Sequence, residues 1–513
     1  MYGSKKVVIM PFHLKSALLF HYLSCKGINV AGFWDNDESL SGKSYDKTGI
    51  LLPPPSKSFG EEVTIIVFYK KFESEIIKQL TDLGYSDIFS AHDLDLNEIE
   101  DYYDSINEVD LVRIDPRFEK YVRTLYVGSK IFFPIKKPSD MLDIVYDEHY
   151  KHGRKENIRI TLLVSHVIDI TGAPIALLNA AKAIANNDGI PIVCCRTEGS
   201  LLPALLAEGI PVLIDFKLIE SDFFLQLISL CDSVVVNTFT TQSLKVIEKL
   251  NGLSIPVLWW VHEGDTGFEY IQINKVPALF EKNIHIYCVG NYSKAALKRF
   301  RADISAGILL YGIEDFYESD SVSLNERLNI MTIGTIDTRK GQDILCDAIR
   351  KLDNTKRDKC EFVFIGKEVS GEPVYEDVLA LKNEFPDNVT ITGEVERYEI
   401  SKHLYKCDCM VCASRDDPMP IFITEAMMFH KIVICSENTG FRYLIEDGIN
   451  GFIYSPNNAD ELCNKLEYYI NDYSEFAAMK SKSRKTYEDN FTFKKFSKEL
   501  NQIMNEIEGK GSV

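Results

Sequence analysis

The sequence predicts an α/β fold class, built from parallel sheets covered by helices and arranged in three successive units. Three observations carry this. Short continuous apolar runs, such as IRITLLVS at 158–165, PIVCC at 191–195 and DSVVVNT at 232–238, alternate with stretches of helical period. Strands apolar on both faces belong to parallel sheets with helices on each side. The alternation begins anew near residues 1, 156 and 321, and 513 residues exceed what one hydrophobic core supports. Composition, 45% hydrophobic and 26% charged, is that of a globular chain.

Residues 1–95 form the first unit. VVIM reads as a strand, SALLFHYLSCKG as a helix and INVAGFWDND as a second strand ending in acids. TIIVFY, FESEIIKQLTDLGY and SDIFSA repeat the pattern, giving a Rossmann-like half domain. A dinucleotide site needs glycines at the first turn so that the backbone can approach a pyrophosphate. Met10, Pro11, Phe12, His13, Leu14 and Lys15 stand there instead. No cofactor is expected, Asp35 and Asp37 read as an acidic turn rather than ribose ligands, and the unit suits scaffolding or protein contact.

Pro11, His13 and Lys15 also interrupt the opening apolar run, and no small-residue cleavage site follows, so a signal peptide is not expected. No apolar run reaches spanning length, which makes a cytoplasmic location the expectation. Residues 96–155 read as a helical connector, with acidic LNEIEDYYDSINEVD and amphipathic RFEKYVRTLY ahead of polar, turn-rich KKPSD and YKHGRKEN.

In the second full unit, 156–320, strand IRITLLVS leads through HVIDITGAP to a helix starting near Ile175. Gly172 allows a tight turn and a close approach of backbone to a ligand, and the helix behind it presents free N–H groups. Ligands of such sheets lie beyond the carboxyl ends of strands. His262, at such an end in WWVHEG beside Glu263 and Gly264, is therefore a binding candidate, while Trp259 and Trp260 read as packing. Lys294, Lys298, Arg299 and Arg301 make a solvated basic helix face that could touch an anionic lipid carrier.

Residues 321–478 form the third unit, and 479–513 supply helices that cross back over the earlier one. In LNIMTIGTIDTRKGQDILCDAI, Gly334 ends a strand. Arg339, Lys340 and Gly341 precede a helix, where a cation and free N–H groups can hold a diphosphate. Gly366 and Gly393 stand at the ends of the next strands. Cys407, Cys409 and Cys412 in KCDCMVCAS are too compressed for paired zinc ligands and read as small apolar residues of a buried strand. No metal is implied, and twelve cysteines in mostly apolar contexts fit a reducing compartment.

The stretch Ser414–Gly451 organises the rest: a Pro-punctuated acidic loop, a short helix, a strand over Ile432 to Cys435 and a turn at Gly440. Asp417 and Glu425, eight residues apart, can both face a ligand at the helix N-terminus. That end suits a phosphate, and carboxylates accept hydrogen bonds from vicinal sugar hydroxyls. Together they point to a phosphorylated sugar. The net charge of −19 excludes the clustered basic surface that nucleic acid requires.

The pattern of an acid, seven residues, Glu-Ala-Met, a Lys-Ile-Val-Ile-Cys strand and a Thr-Gly turn resembles the nucleotide-sugar loop of retaining glycosyltransferases of family 4. Their GT-B fold consists of two facing Rossmann-like domains, and the resemblance covers about 156–480. Asp417 replaces that family's usual first Glu, and Thr335 replaces an Arg, with Arg339 as its substitute. The resemblance implies a hexosyltransferase that takes sugar from a nucleoside-diphosphate sugar to a glycan or lipid-linked acceptor, in surface polysaccharide or glycoconjugate synthesis.

Glu425 would then hold ribose hydroxyls, Asp417 the donor-sugar hydroxyls and Lys340 the diphosphate, with His262 and Gly172 reaching the sugar from the opposite lobe. Gly334, Gly366, Gly393 and Gly440 would line the same cleft. No carboxylate nucleophile stands out, so the implied chemistry is front-face attack assisted by the leaving phosphate. Membrane-peripheral relatives imply possible contact with the inner membrane face. A non-catalytic GT-B partner subunit and a nucleotide-sugar epimerase remain alternatives.

Overall fold

The computed structural model describes residues 6–509 other than 12–13, 37–43, 46–48, 53–62, 68–72, 91–122, 134, 150–157, 220, 272–279, 281, 319–326, 370 and 396. By internal contacts the chain divides into two compact units, Met1–Thr124 and Leu125–Val513.

The first unit holds a six-stranded sheet. Its strands are β1 (Lys6–Met10), β2 (Val30–Trp34), β3 (Ser44–Tyr45), β4 (Gly49–Leu52), β5 (Val63–Val67) and β6 (Ile88–Ser90), in the order β3-β4-β2-β1-β5-β6. Only β3 runs antiparallel to its neighbour. Helices Leu14–Cys25 and Glu73–Asp82 make the crossovers the sequence predicts, and Val8, Met10, Trp34, Ile65, Val67 and Leu80 form the core. After β2, the side-chain amides of Asn36 and Gln79 bond reciprocally at 3.1 and 3.2 Å, tying the turn at Asp35 to the second helix. Phe12, His13, Asp37 and the stretch 96–110 lie outside the described residues.

The second unit carries two sheets, each the floor of one lobe. The first lobe has nine strands: β7 (Thr124–Val127), β8 (Lys130–Phe132), β9 (Ile160–Val164), β10 (Ile190–Cys195), β11 (Val212–Ile214), β12 (Ser233–Asn237), β13 (Val257–Val261), β14 (Ile284–Cys288) and β15 (Gly307–Ile308). Their order is β15-β14-β13-β12-β9-β10-β11-β7-β8.

The sequence reads 124–149 as connector, whereas the structure builds it into this lobe as the antiparallel hairpin β7–β8 and the helix Pro138–His149. Leu125 and Val127 are buried in the same core as Met141 and Val145. Strands of four and three residues are too brief for a two-residue period to be told from a helical one.

The second lobe has six parallel strands, β16 (Leu328–Ile333), β17 (Cys360–Ile365), β18 (Val389–Gly393), β19 (Cys409–Cys412), β20 (Ile432–Ser436) and β21 (Phe452–Tyr454), in the order β18-β17-β16-β19-β20-β21. The pairing Ile333↔Ile365 sets Gly334 beside Gly366.

Two long helices, Ala477–Asn490 and Phe493–Ile507, return from the second lobe to the first. Tyr487 donates to the Ile313 carbonyl at 3.1 Å, Phe496 stacks on Trp260 at 5.6 Å, and Arg159 meets Glu508 at 2.5 Å. The run FKKFSKELNQIMNEIE reads as the second helix, whereas no run is read as the first. Its buried residues are Met479, Ser483, Thr486 and Tyr487, three of them hydroxyl-bearing, so no apolar stripe marks it. Among the described residues, no helix is long and apolar enough to cross a membrane.

Candidate functional site

At the carboxyl ends of β16, β17 and β18, three glycines stack by their backbones. Gly334 donates to the Ile365 carbonyl and Gly366 to the Gly393 carbonyl, each at 2.9 Å. Gly334 and Gly366 adopt φ of 143° and 147°, where side chains are strained. A Cβ on Gly366 would lie 2.0 Å from the Gly334 carbonyl oxygen, so backbone fills that space. One on Gly334 would meet the stem of Lys340 at 3.5 Å.

Lys340 lies just before helix Gln342–Lys351 and sends its ammonium to Asp417 Oδ2 at 2.5 Å, with the two side chains 16% and 9% exposed. Asp417 is itself pinned by backbone. Its N–H donates to the Asn438 carbonyl, and its carbonyl accepts from Gly440 N–H at 3.0 Å. A Cβ on Gly440 would sit 1.8 Å from the Pro418 carbonyl oxygen, so glycine there lets the Thr-Gly turn lie against the acidic loop.

Arg339 Nη1 donates to the Asp416 carbonyl at 3.1 Å, which makes it a brace for this loop. Thr335 accepts at its carbonyl from Gln342 Nε2 at 3.0 Å.

Helix Ile421–Met428 is buried on every side, and Glu425 within it is 1% exposed. Its carboxylate forms an ion pair with Arg397. Arg397, the first residue of a short 3-10 turn after β18, has no motif around it and is not singled out in the sequence. Next to Glu425, Thr424 shares a 2.6 Å hydroxyl bond with the phenol of Tyr311. Burial raises the Tyr311 phenol, and it lies in electrostatic range of Asp417 and Arg397, one member of each ion pair. One member of each ion pair thus lies near the same phenol.

The first lobe supplies His262, directly after β13. Its ring lies 4.6 Å from that of Trp260, and its Nε2 is buried with no hydrogen-bond partner. Burial, with His166 nearby, pushes its pKa down to about 3, so the imidazole is neutral at ordinary pH. Its main-chain N–H donates to Glu263 Oε2 at 2.9 Å, and burial pushes the Glu263 carboxyl up to about 7. His166, which follows β9, shares a 3.1 Å bond with Thr238 Oγ1. Sequence reasoning passes it over as part of a loop, although it too stands at the carboxyl end of a strand.

The lobes meet along one seam. Three first-lobe helices begin at or just after a glycine that faces the 416–421 segment of the second lobe. A Cβ on Gly172 would meet Ile421 Cδ1 at 3.9 Å, one on Gly264 Asp416 Oδ1 at 2.0 Å, and one on Gly290 Met419 Cε at 2.6 Å. Asp416 Oδ2 also accepts from Thr266 N–H at 2.8 Å, and burial together with the same carboxylate raises the Tyr292 phenol. The sequence assigns Asp416 no role beyond its loop; here it joins the lobes.

Gly172 is the first residue of helix Gly172–Ala185 rather than a turn ahead of it, and φ is not positive there. Thr171, the N-cap, makes no side-chain cap bond. On the basic helix Asn291–Phe300 and just after it, Arg299 pairs with Asp265 at 2.5 Å and Arg301 with Asp303 at 2.7 Å, while Lys294 and Lys298 are exposed.

Trp259 and Trp260 are fully buried, and their indoles donate to the Thr238 and Leu309 carbonyls. Cys407, Cys409 and Cys412 are buried free thiols, with burial pushing Cys407 to about 12 and Cys412 to about 11. Among the described residues no group of three or more His, Cys, Asp or Glu is placed to hold a metal.

Residues 315–486 match the family described as Glycosyl transferases group 1, and 157–305 match Glycosyl-transferase family 4. The chain is 28% identical over 149 residues to an alpha-D-kanosaminyltransferase of Streptomyces kanamyceticus, a match spanning 29% of this chain and 38% of that protein. It is 23% identical over 267 residues to an uncharacterized glycosyltransferase of Methanocaldococcus jannaschii, covering 50% and 70% of the two chains.

Among solved structures, Anabaena HepE in complex with UDP and glucose superposes with a TM-score of 0.57 at 18% identity, over 68% of this chain and all of that one. Sucrose-phosphate synthase from Thermosynechococcus elongatus does so at 0.57 and 14%, over 69% of this chain and all of that one. At such identities the structural likeness speaks to fold alone.

Proposed function

This chain is a GT-B glycosyltransferase of the family 4 kind, and from that premise we propose that it takes a hexosyl group from a nucleoside-diphosphate sugar to a glycan or lipid-linked acceptor, with retention of configuration. One observation carries the reading. The Lys340–Asp417 and Glu425–Arg397 ion pairs each place a member near Tyr311, whose phenol bonds Thr424 beside Glu425.

Breaking the glycosyl phosphate bond builds charge on the leaving diphosphate, and donors already in position lower that barrier most. Lys340, at the start of a helix with free N–H groups, is the donor for this task, and Arg397 adds the second cation that Thr335 does not provide. Glu425 retains acceptor sites for ribose hydroxyls beside its guanidinium, and Asp417 does the same for the donor sugar. His262, neutral and with Nε2 unpartnered, suits a hydrogen bond to a sugar hydroxyl from the other lobe. With no carboxylate placed as nucleophile in this reading, the acceptor attacks the face the diphosphate leaves.

The HepE complexes with UDP and glucose support a nucleotide-sugar donor by likeness of fold. Work on surface polysaccharide or glycoconjugate at the cytoplasmic side of a membrane, with Lys294 and Lys298 turned to anionic lipid, belongs to the same reading. The test is incubation with uridine, guanosine, adenosine and thymidine diphosphate sugars under mass detection. Donor hydrolysis or transfer is expected, and Glu425→Ala should weaken nucleotide affinity. Absence of hydrolysis, transfer and nucleotide affinity alike would overturn the proposal, and a rearranged donor with no transfer would mark an epimerase.

A further inference from the structure

A cavity of about 470 Å³ opens in the second lobe away from the donor site, lined in part by Tyr468, Asp472, Glu475, Phe476, Met479 and Lys482. Its position follows from the sheet. The glycines and Lys340 stand at the carboxyl ends of β16 to β18, whereas this cavity includes Gly448 and Ile449, which precede β21. Because β21 runs parallel to β20, that approach is at the amino end of the sheet. Helix Ala459–Asp472 then runs back from the carboxyl end to deliver Tyr468 and Asp472 to the same place.

The lining is of two kinds. Tyr468, 52% exposed, is set nearly perpendicular to Phe452 and Phe476, at 84° and 81°, so neighbouring rings hold it. Phe476 and Met479 add an apolar floor. Around these stand two carboxylates and one ammonium, all exposed, and none of the three forms an ion pair among the described residues.

We propose that this cavity is a second carbohydrate site, which holds a neutral oligosaccharide independently of the donor. An aromatic ring fixed at a cavity wall offers its face to the C–H groups of a pyranose, and carboxylates take its hydroxyls as paired acceptors. The charge argues for a neutral ligand. Two acids against one lysine repel a nucleotide or a uronate, and the lysine can donate to a ring or hydroxyl oxygen. The volume suits about two sugar units in a chain, the size of a ligand subsite.

An array of neutral and uronate-bearing oligosaccharides, probed with the intact protein, tests this. Retention of neutral oligosaccharides is expected, with Tyr468→Ala weakening it at least about tenfold. The exposed double change Asp472→Asn with Glu475→Gln, which removes no packing, should weaken it as well. UDP affinity should stay unchanged in all variants, which separates this site from the donor crevice. The proposal is overturned if no neutral oligosaccharide is retained, if uronate-bearing chains are preferred, if Tyr468→Ala leaves retention unaltered while the double change does too, or if UDP displaces the bound glycan.

Discussion

Replacing Lys340 by Met separates two roles that the ion pair with Asp417 combines. At 2.5 Å, and with an effective dielectric of about 20, the gross attraction of the pair is about 6–7 kcal/mol. Desolvation of two side chains only 16% and 9% exposed offsets most of it. Lys340→Met leaves Asp417 charged, nearly buried and without its cation, which should cost about 2–3 kcal/mol of stability. Changing Asp417 to Asn in the same chain removes the orphaned charge, and stability should return to within about 1 kcal/mol of the starting protein.

Affinity for a free nucleoside diphosphate should behave differently. A charge-assisted bond to phosphate contributes about 1.5–3 kcal/mol, so Lys340→Met should weaken binding by about 10- to 150-fold, and the second change should not restore it. The ligand in this experiment carries no sugar, so the proposed role of Asp417 toward sugar hydroxyls does not enter. Urea unfolding and titration calorimetry on the four proteins give both quantities. If affinity recovers together with stability in the double variant, Lys340 acts only by holding the loop, and its assignment to the diphosphate fails.

Two further outcomes follow from the geometry. Gly366→Ala places a Cβ 2.0 Å from the Gly334 carbonyl oxygen at a φ of 147°, so a loss of about 2–4 kcal/mol is expected in thermal unfolding, with nucleotide affinity falling alongside; an unchanged midpoint would contradict the stacking of these turns. Glu263 has its carboxyl raised to about 7 from an ordinary 4.5, so between those pH values the folded protein keeps a proton that the unfolded chain has released. Its contribution to stability is therefore present at low pH and lost as pH rises to about 7, by up to about 3 kcal/mol, and Glu263→Gln should gain on the parent by that amount between pH 5 and 8 in urea unfolding.

The parallel sheets were legible because their signal is local. Runs such as ITLLV and VLWWV are apolar on both faces, and the structure buries every residue of both strands. What the sequence hides depends on distance in the chain. Arg397 is 28 residues from Glu425, and nothing around it indicates that the two meet. Asp416 lies 150 residues from Thr266, and the glycine that admits it, Gly264, looks like any loop glycine. Gly172 shows the opposite case: the position was legible but the reason was not, since a packing need toward Ile421 leaves no trace in one sequence.

The charges at the seam have a common arrangement with a consequence for binding. Lys340 is neutralised by Asp417 and Arg397 by Glu425, while Arg339 is spent on a backbone carbonyl of the same loop. A diphosphate arriving here must share Lys340 and Arg397 with carboxylates already in place. Such a site binds a bare phosphate less tightly than unpaired cations would, because partial loss of an existing pair offsets part of the new contact. It gains more from a ligand whose hydroxyls satisfy those same carboxylates as its phosphates take the cations. On the proposed reading, discrimination then rests on the whole nucleotide sugar, each acid that restrains a cation serving also as an acceptor for a ribose or donor-sugar hydroxyl.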